Sequence, residues 1–302
     1  MIGRSTDFLG AVNDGKKVLV TGAGGFIGSY LMDALHGFGY DVVGLLHRSN
    51  GIRPDLRGCT EVCDMSQPLC LKGSFDAVVH AAGLSQSSGF SFVEYKHGNI
   101  DTMENLLNWV HQGHARRVIY LSAVSVYGEV ETESVDEDTP IVNPGSYGLS
   151  KYVAERLLDE AQDIEHLSLR LPGVFGKKAR YPWLAKVVEK CLDGSQVIIH
   201  SPDFVNNNYL YLPDLAIFID KLLSQDNWQH QELVLGLQRG ISICEAVEIV
   251  HRTVGSSSEI KVIEAREKPF RIDIKRAETM GYTSHDFQLM INECLSNNGW
   301  IE

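Results

Sequence analysis

A doubly wound α/β fold, a Rossmann-type parallel sheet followed by a smaller C-terminal lobe, is predicted for this 302-residue sequence from three observations. Short apolar runs alternate with segments of helical period over the first 175 residues, the pattern of buried parallel strands joined by crossover helices. The first run, Val18-Leu19-Val20, ends in glycines at 22, 25 and 28 just where a helical period begins at Ile27, Leu31, Leu35 and Phe38. From Gly176 onward the alternation loosens, as it does where a chain leaves a central sheet.

The glycine turn is the first functional signal. A nucleotide pyrophosphate needs backbone N–H groups and the positive end of a helix dipole, and only glycine lets the main chain come that close. Gly22 can make the turn, Gly25 can permit the approach and Gly28 can let the helix pack on the strand, with Phe26 and Ile27 supplying first-turn N–H groups. Residues 1–175 are therefore expected to form a dinucleotide-binding domain and residues 176–302 a substrate-binding lobe, with the segment around 200–225 returning to the first domain.

Composition narrows the partners. With 44% hydrophobic and 22% charged residues the chain is an ordinary globular protein, and a net charge of -12 argues against a nucleic-acid backbone as ligand. No stretch approaches the ~20 apolar residues of a membrane span, and Met1 to Lys16 lacks a signal-peptide run, so the expected location is cytoplasmic. Six cysteines without a C-x-x-C pair read as thiols of a reducing compartment, with no metal site.

The remaining elements follow in order. Asp41 to Leu46 reads as a second strand, followed by His47-Arg48-Ser49, where no carboxylate stands to accept ribose hydroxyls. Arg48 thus favours the 2′-phosphate of NADP, with NAD as the alternative. Cys59 to Cys63 is a third strand, and Asp64 and Met65 after it are placed to meet the adenine. Phe75 to His80 is a fourth strand, running into Ala81-Ala82-Gly83, whose small side chains leave room for a cofactor. Asn99 to Gln112 has the spacing of an amphipathic helix, and Arg117 to Leu121 is a fifth strand. The acidic stretch Glu129 to Asp138 is expected to be a solvated excursion. Beyond it Tyr147 and Lys151 stand at i and i+4, so that both can face one side of a helix. A phenol acting as acid or base near neutrality needs its pKa lowered by ~3 units, which an adjacent ammonium and a bound nicotinamide cation can supply.

Taken together, Val18 to Gly28, Val78 to Gly83, Val126-Tyr127-Gly128, Tyr147 to Lys151, Leu169 to Gly176, Tyr209 to Ala216 and Asp273 to Ala277 resemble the extended short-chain dehydrogenase/reductases, the NAD-dependent epimerase/dehydratase family. The resemblance implies Tyr147 as acid/base, Lys151 holding the nicotinamide ribose, Pro172 to Val174 passing near the nicotinamide, and a homodimer built through the helices at Asn99 and Tyr147.

The chain also departs from that pattern. The family places Ser or Thr where Ala123 stands, to hydrogen-bond the reacting oxygen, and loss of such a donor costs 10² to 10³ in rate. Ser122 and Ser125 are the nearby hydroxyls, and in an extended segment Ser125 shares the face of Ala123, so Ser125 or a water is expected to replace the donor. Val124 and Ser125 occupy the positions of the Asp-Glu pair of the 4,6-dehydratases, which disfavours dehydration. Lys177, Lys178 and Arg180 form a basic group able to meet a diphosphate, Arg266 and Arg271 are further candidates, and Asn207 replaces a family arginine as a weaker phosphate contact. The leading expectation is an NADP-preferring reductase of a nucleotide-linked keto-sugar. The alternatives are an epimerase that retains NAD, reduction of a small non-nucleotide ketone, or a cofactor-binding sensor or scaffold of little activity.

Overall fold

The computed structural model describes residues 15–47, 59–86, 89–176, 179, 182–263 and 269–296. It opens with β1 (Lys17–Thr21), α1 (Phe26–Gly37) and β2 (Asp41–Leu46). Val18 to Thr21 and Val42 to Leu46 are buried, because helices cover both faces of the sheet they enter. β3 (Cys59–Val62) lies at the sheet edge with its residues largely exposed, whereas β4 (Ala77–His80) is wholly buried.

The helix expected from Asn99 starts earlier, at α2 (Phe92–Tyr95), and passes through a π turn at Lys96–Ile100 into α3 (Asp101–Trp109). Its start is set by a reciprocal cap: the Glu94 N–H donates to Ser91 Oγ at 3.3 Å, and the Ser91 N–H donates to the Glu94 carboxylate at 2.8 Å. The chain continues through β5 (Arg117–Ala123), a 3-10 turn at Val124–Tyr127, β6 (Ser134–Val135), α4 (Ser146–Glu160), β7 (Glu165–Leu171) and β8 (Gly173–Phe175).

Beyond β8 come α5 (Trp183–Asp193), β9 (Val197–His200), β10 (Val205–Asn206), β11 (Tyr209–Tyr211), α6 (Leu212–Ser224) and β12 (Glu232–Val234). The chain closes with β13 (Ile241–Ser242), α7 (Ile243–Thr253), β14 (Ile260–Ile263), β15 (Arg271–Ile272), α8 (Lys275–Thr279) and α9 (Phe287–Ser296).

One seven-stranded sheet organises the molecule, in the order β3-β2-β1-β4-β5-β7-β12 with every neighbouring pair parallel. The strand order reverses between β1 and β4, and that switch point opens a crevice at the carboxyl ends of the strands. α6 packs in the same core as the sheet: Leu215, Phe218 and Leu222 lie with Leu31 and Leu35 of α1. A second core, with Leu184, Val188, Val247, Val250 and Ile291 buried, builds the C-terminal lobe. β8 and β11 pair in parallel, Val174 opposite Leu210, where the chain passes between sheet and lobe. Among the described residues no helix is long and apolar enough to cross a membrane, and all six cysteines are free.

The acidic stretch corrects its expectation in part. Val135 is fully buried in β6, paired with β15, and the Glu137 carboxylate accepts the Val234 N–H at 2.8 Å with Arg276 3.5 Å away. Burial raises the pKa of the Glu137 carboxyl, opposed by that N–H and by Arg276. A backbone N–H at the end of β12 is satisfied by a side chain from a loop that charge pattern alone assigns to solvent.

Candidate active site

The glycine turn is built by contact. Gly22 has φ +66°, and a β-carbon on it would stand 2.7 Å from the Ala82 nitrogen and 2.8 Å from the Ala81 oxygen. A β-carbon on Gly28 would lie 2.2 Å from the Gly22 oxygen, so α1 can enter against the turn only with glycine there. The two turns are also stitched together: Thr21 Oγ1 accepts the Ala82 N–H at 3.1 Å and pairs with His80 Nδ1 at 2.7 Å. Burial, then Lys151, pushes His80 down to about 3, which keeps the imidazole neutral.

Gly25 caps α1 without a side-chain hydrogen bond, so no cap side chain competes for the first-turn N–H groups that an anion could use. Beside it lies a cavity of about 340 Å³ lined by residues that include Gly22, Leu45, His47, Asp64, Met65 and Ala82. The Asp64 carboxylate accepts the Ser66 N–H at 2.9 Å and stands 3.6 Å from His47 Nδ1. These residues fit the pyrophosphate and adenosine of a dinucleotide: a cradle that β-carbons would fill, an open helix end, and an apolar slot with one carboxylate. Leu45 and His47 carry no motif of their own, and at the end of β2 the sequence points only to Arg48. Arg48 itself lies outside the described residues, as do Lys177, Lys178, Arg180 and Arg266.

α4 carries the second half of the site. Gly148, Ser150, Lys151, Ala154, Glu155 and Leu158 are buried at helical spacing, which turns Lys151 toward the sheet. Its Nζ donates to the Leu121 carbonyl at 2.9 Å and lies 4.8 Å above the Tyr120 ring. Burial pushes the Lys151 ammonium down to about 8, with Glu155 opposing the shift. Tyr147 stands one turn earlier, its ring 5.7 Å from that of Tyr95. Burial, with Tyr95 adding to it, pushes the Tyr147 phenol up to about 12. The lowering expected with a nicotinamide cation bound is absent from the protein alone: burial dominates, and Lys151 is turned to a backbone carbonyl.

A cleft of about 530 Å³ opens in front of Tyr147, lined also by Gln86, Tyr95, Ser125, Asn143 and Phe270. Gln86, Tyr95 and Phe270 come from loops and a capped helix start with no motif of their own, so nothing in the sequence singled them out.

Three site expectations change. The segment after Ala123 is a 3-10 turn, not an extended strand, so alternation does not decide where Ser125 points, although Ser125 does line the cleft. Ser122, expected to face substrate, is buried and its hydroxyl donates to Glu155 Oε1 at 2.6 Å. Asn207, expected at a phosphate, has its side chain engaged with the backbone. Its Nδ2 donates to the carbonyls of Leu237 and Ile272, both at 2.9 Å, and its Oδ1 accepts the Ile272 N–H at 2.8 Å.

Pro172 and Val174 are buried where β7 gives way to β8, and Gly83 follows β4, so both stretches border the carboxyl end of the sheet. Arg271 is exposed in β15. In the lobe a further cavity of about 250 Å³ is lined by Trp183, His200, Asn206 and Tyr209, among others.

A dinucleotide cradle at the switch point, with tyrosine and lysine on the adjoining helix, defines an enzyme of the short-chain dehydrogenase superfamily. Residues 18–236 match the NAD dependent epimerase/dehydratase family, and the chain belongs to it. The UDP-glucose 4-epimerase of Streptomyces lividans is 27% identical over 269 residues, covering 79% of this chain and 81% of that protein. The UDP-glucuronic acid 4-epimerase of Bacillus cereus, solved with UDP-glucuronic acid and NAD, superposes with a TM-score of 0.77 at 23% identity, covering 93% and 98% of the two chains. The UDP-Glc/GlcNAc 4-epimerase of Campylobacter jejuni gives a TM-score of 0.79 at 21% identity, covering 94% and 98%.

Proposed function

We propose that the protein is a nucleotide-sugar 4-epimerase that keeps NAD bound, rather than the NADP-dependent keto-sugar reductase the sequence suggested first. The observation that carries this reading is the presence of both a Tyr147 cleft and a dinucleotide-sized cavity at the glycine turn, in a chain whose similar relatives over most of their length are UDP-sugar 4-epimerases. NAD held at the glycine turn of residues 22–28 and the cavity with Asp64 would supply a hydride acceptor and donor for one sugar carbon. Tyr147 takes the proton of the sugar hydroxyl and later returns it, which requires the phenol to be brought down from about 12. Lys151, released from the Leu121 carbonyl to meet a ribose hydroxyl, brings a positive charge into the same dry space. The aromatic faces of Trp183 and Tyr209 in the lobe cavity suit a nucleoside base.

NAD is favoured over NADP by the Asp64 carboxylate in the adenosine-sized cavity, which repels a 2′-phosphate. The exposed apolar side chains of Phe92, Val93 and Leu149, on α2 and α4, support a homodimer through those helices.

The test is cofactor release and turnover. Protein purified without added cofactor is denatured and the supernatant analysed for NAD and NADP, and native protein is incubated with UDP-sugars while the C4 epimers are followed by NMR. Released NAD with interconversion of epimers supports the reading. Dependence on added NADPH, with stoichiometric oxidation, replaces it by the reductase.

A further inference from the structure

As the reacting carbon passes between alcohol and ketone, charge grows on its oxygen, and a donor besides Tyr147 is needed there. Ala123 carries none. Two nearby hydroxyls are engaged: Ser122 donates to Glu155 at 2.6 Å, and Ser150 donates to the Tyr147 carbonyl at 2.8 Å while accepting from Asn99. Ser125 borders the cleft on the turn that begins at Ala123, and its hydroxyl donates to Gln86 Oε1 at 3.4 Å. That contact holds the Gln86 carboxamide by its oxygen and leaves its two N–H groups without a partner among the described residues, on the wall of the cleft that holds Tyr147.

We propose that Gln86, held by Ser125, is the catalytic donor that replaces the missing hydroxyl at Ala123, its amide N–H bonding the reacting sugar oxygen. The proposal rests on the epimerase reading. In the oxidising half-reaction the C4–H bond breaks and its electron pair leaves as hydride to the nicotinamide ring, which is reduced. The O–H bond breaks toward Tyr147, and the C–O single bond becomes a carbonyl. Gln86 transfers no proton and only strengthens its hydrogen bond as charge builds. An amide N–H suits both stages, because a hydroxyl oxygen and a ketone oxygen each accept it.

The experiment compares wild type, Gln86→Leu, Ala123→Ser and the double variant, each as the cofactor-loaded enzyme. Hydride transfer is read from nicotinamide absorbance in a single turnover with UDP-sugar, and UDP affinity by calorimetry. Gln86→Leu is expected to slow hydride transfer by about 10² to 10³ while UDP affinity and melting temperature stay unchanged, and Ala123→Ser in that background is expected to restore most of the rate. An unslowed Gln86→Leu overturns the proposal. So does a slowed Gln86→Leu that Ala123→Ser does not rescue, since a merely structural role responds to no new hydroxyl. Wild-type enzyme that moves no hydride with any UDP-sugar is a different failure: it overturns the epimerase reading, and this proposal with it.

Discussion

Gly148 and Ser125 are in backbone contact: a β-carbon on Gly148 would stand 2.0 Å from the Ser125 carbonyl oxygen and 2.7 Å from its carbonyl carbon. This contact seats the first turn of α4 on the 3-10 turn after β5, and so sets Tyr147 against Ser125 across one cleft. Gly148→Ala is expected to cost about 1–3 kcal/mol through overpacking, and to slow turnover by about 10² because Tyr147 is displaced. Urea denaturation and kcat measured on the same preparation check both; a variant stable and active as wild type contradicts the contact.

Glu155 and Arg170 form an ion pair at 2.8 Å between α4 and β7, their side chains 0% and 3% exposed. Ser122 and the Tyr127 hydroxyl complete it, at 2.6 Å and 3.3 Å. Glu155→Ala strands a buried guanidinium and is expected to destabilise by about 3–5 kcal/mol, while adding Arg170→Met recovers much of that loss. A double-mutant cycle by chemical denaturation decides it, and additive losses would mean the pair is not coupled.

Lys151 ties stability to pH. Burial holds its ammonium at about 8 against an ordinary 10.5, so across that window the unfolded chain binds more protons than the folded one. Stability of the cofactor-free protein should therefore rise with pH from about 8 toward 10.5, on the order of 3 kcal/mol more than in Lys151→Met, whose buried methionine has no proton to lose. Unfolding free energies of the two proteins at each end of the window give the difference. A flat difference would place the ammonium in water.

Asn207 holds three backbone groups, two carbonyls and one N–H. Asn207→Ala should lower stability by about 1–3 kcal/mol for each buried group left unpaired, with the KM for UDP-sugar little altered in the protein that remains folded. A raised KM at unchanged melting temperature would return this residue to the phosphate site.

The sequence by itself determined the β1–glycine turn–α1 unit, the strands at β2, β4 and β5, and the pairing of Tyr147 with Lys151 on one helix. Each is written locally, in an apolar run, a glycine spacing or a turn of helix, and needs no knowledge of distant residues. The tertiary structure decided what depended on partners far along the chain. Ser122 turns from the site because Glu155, thirty-three residues on, accepts its hydroxyl. Glu137 leaves solvent because the Val234 N–H, ninety-seven residues away, needs an acceptor. Asn207 is fixed by Ile272, sixty-five residues distant, and Gln86 meets Ser125 across thirty-nine. The physical reason is the same in each case: a buried polar group is placed by whichever partner satisfies it, and that partner is known only once the strands have been brought side by side.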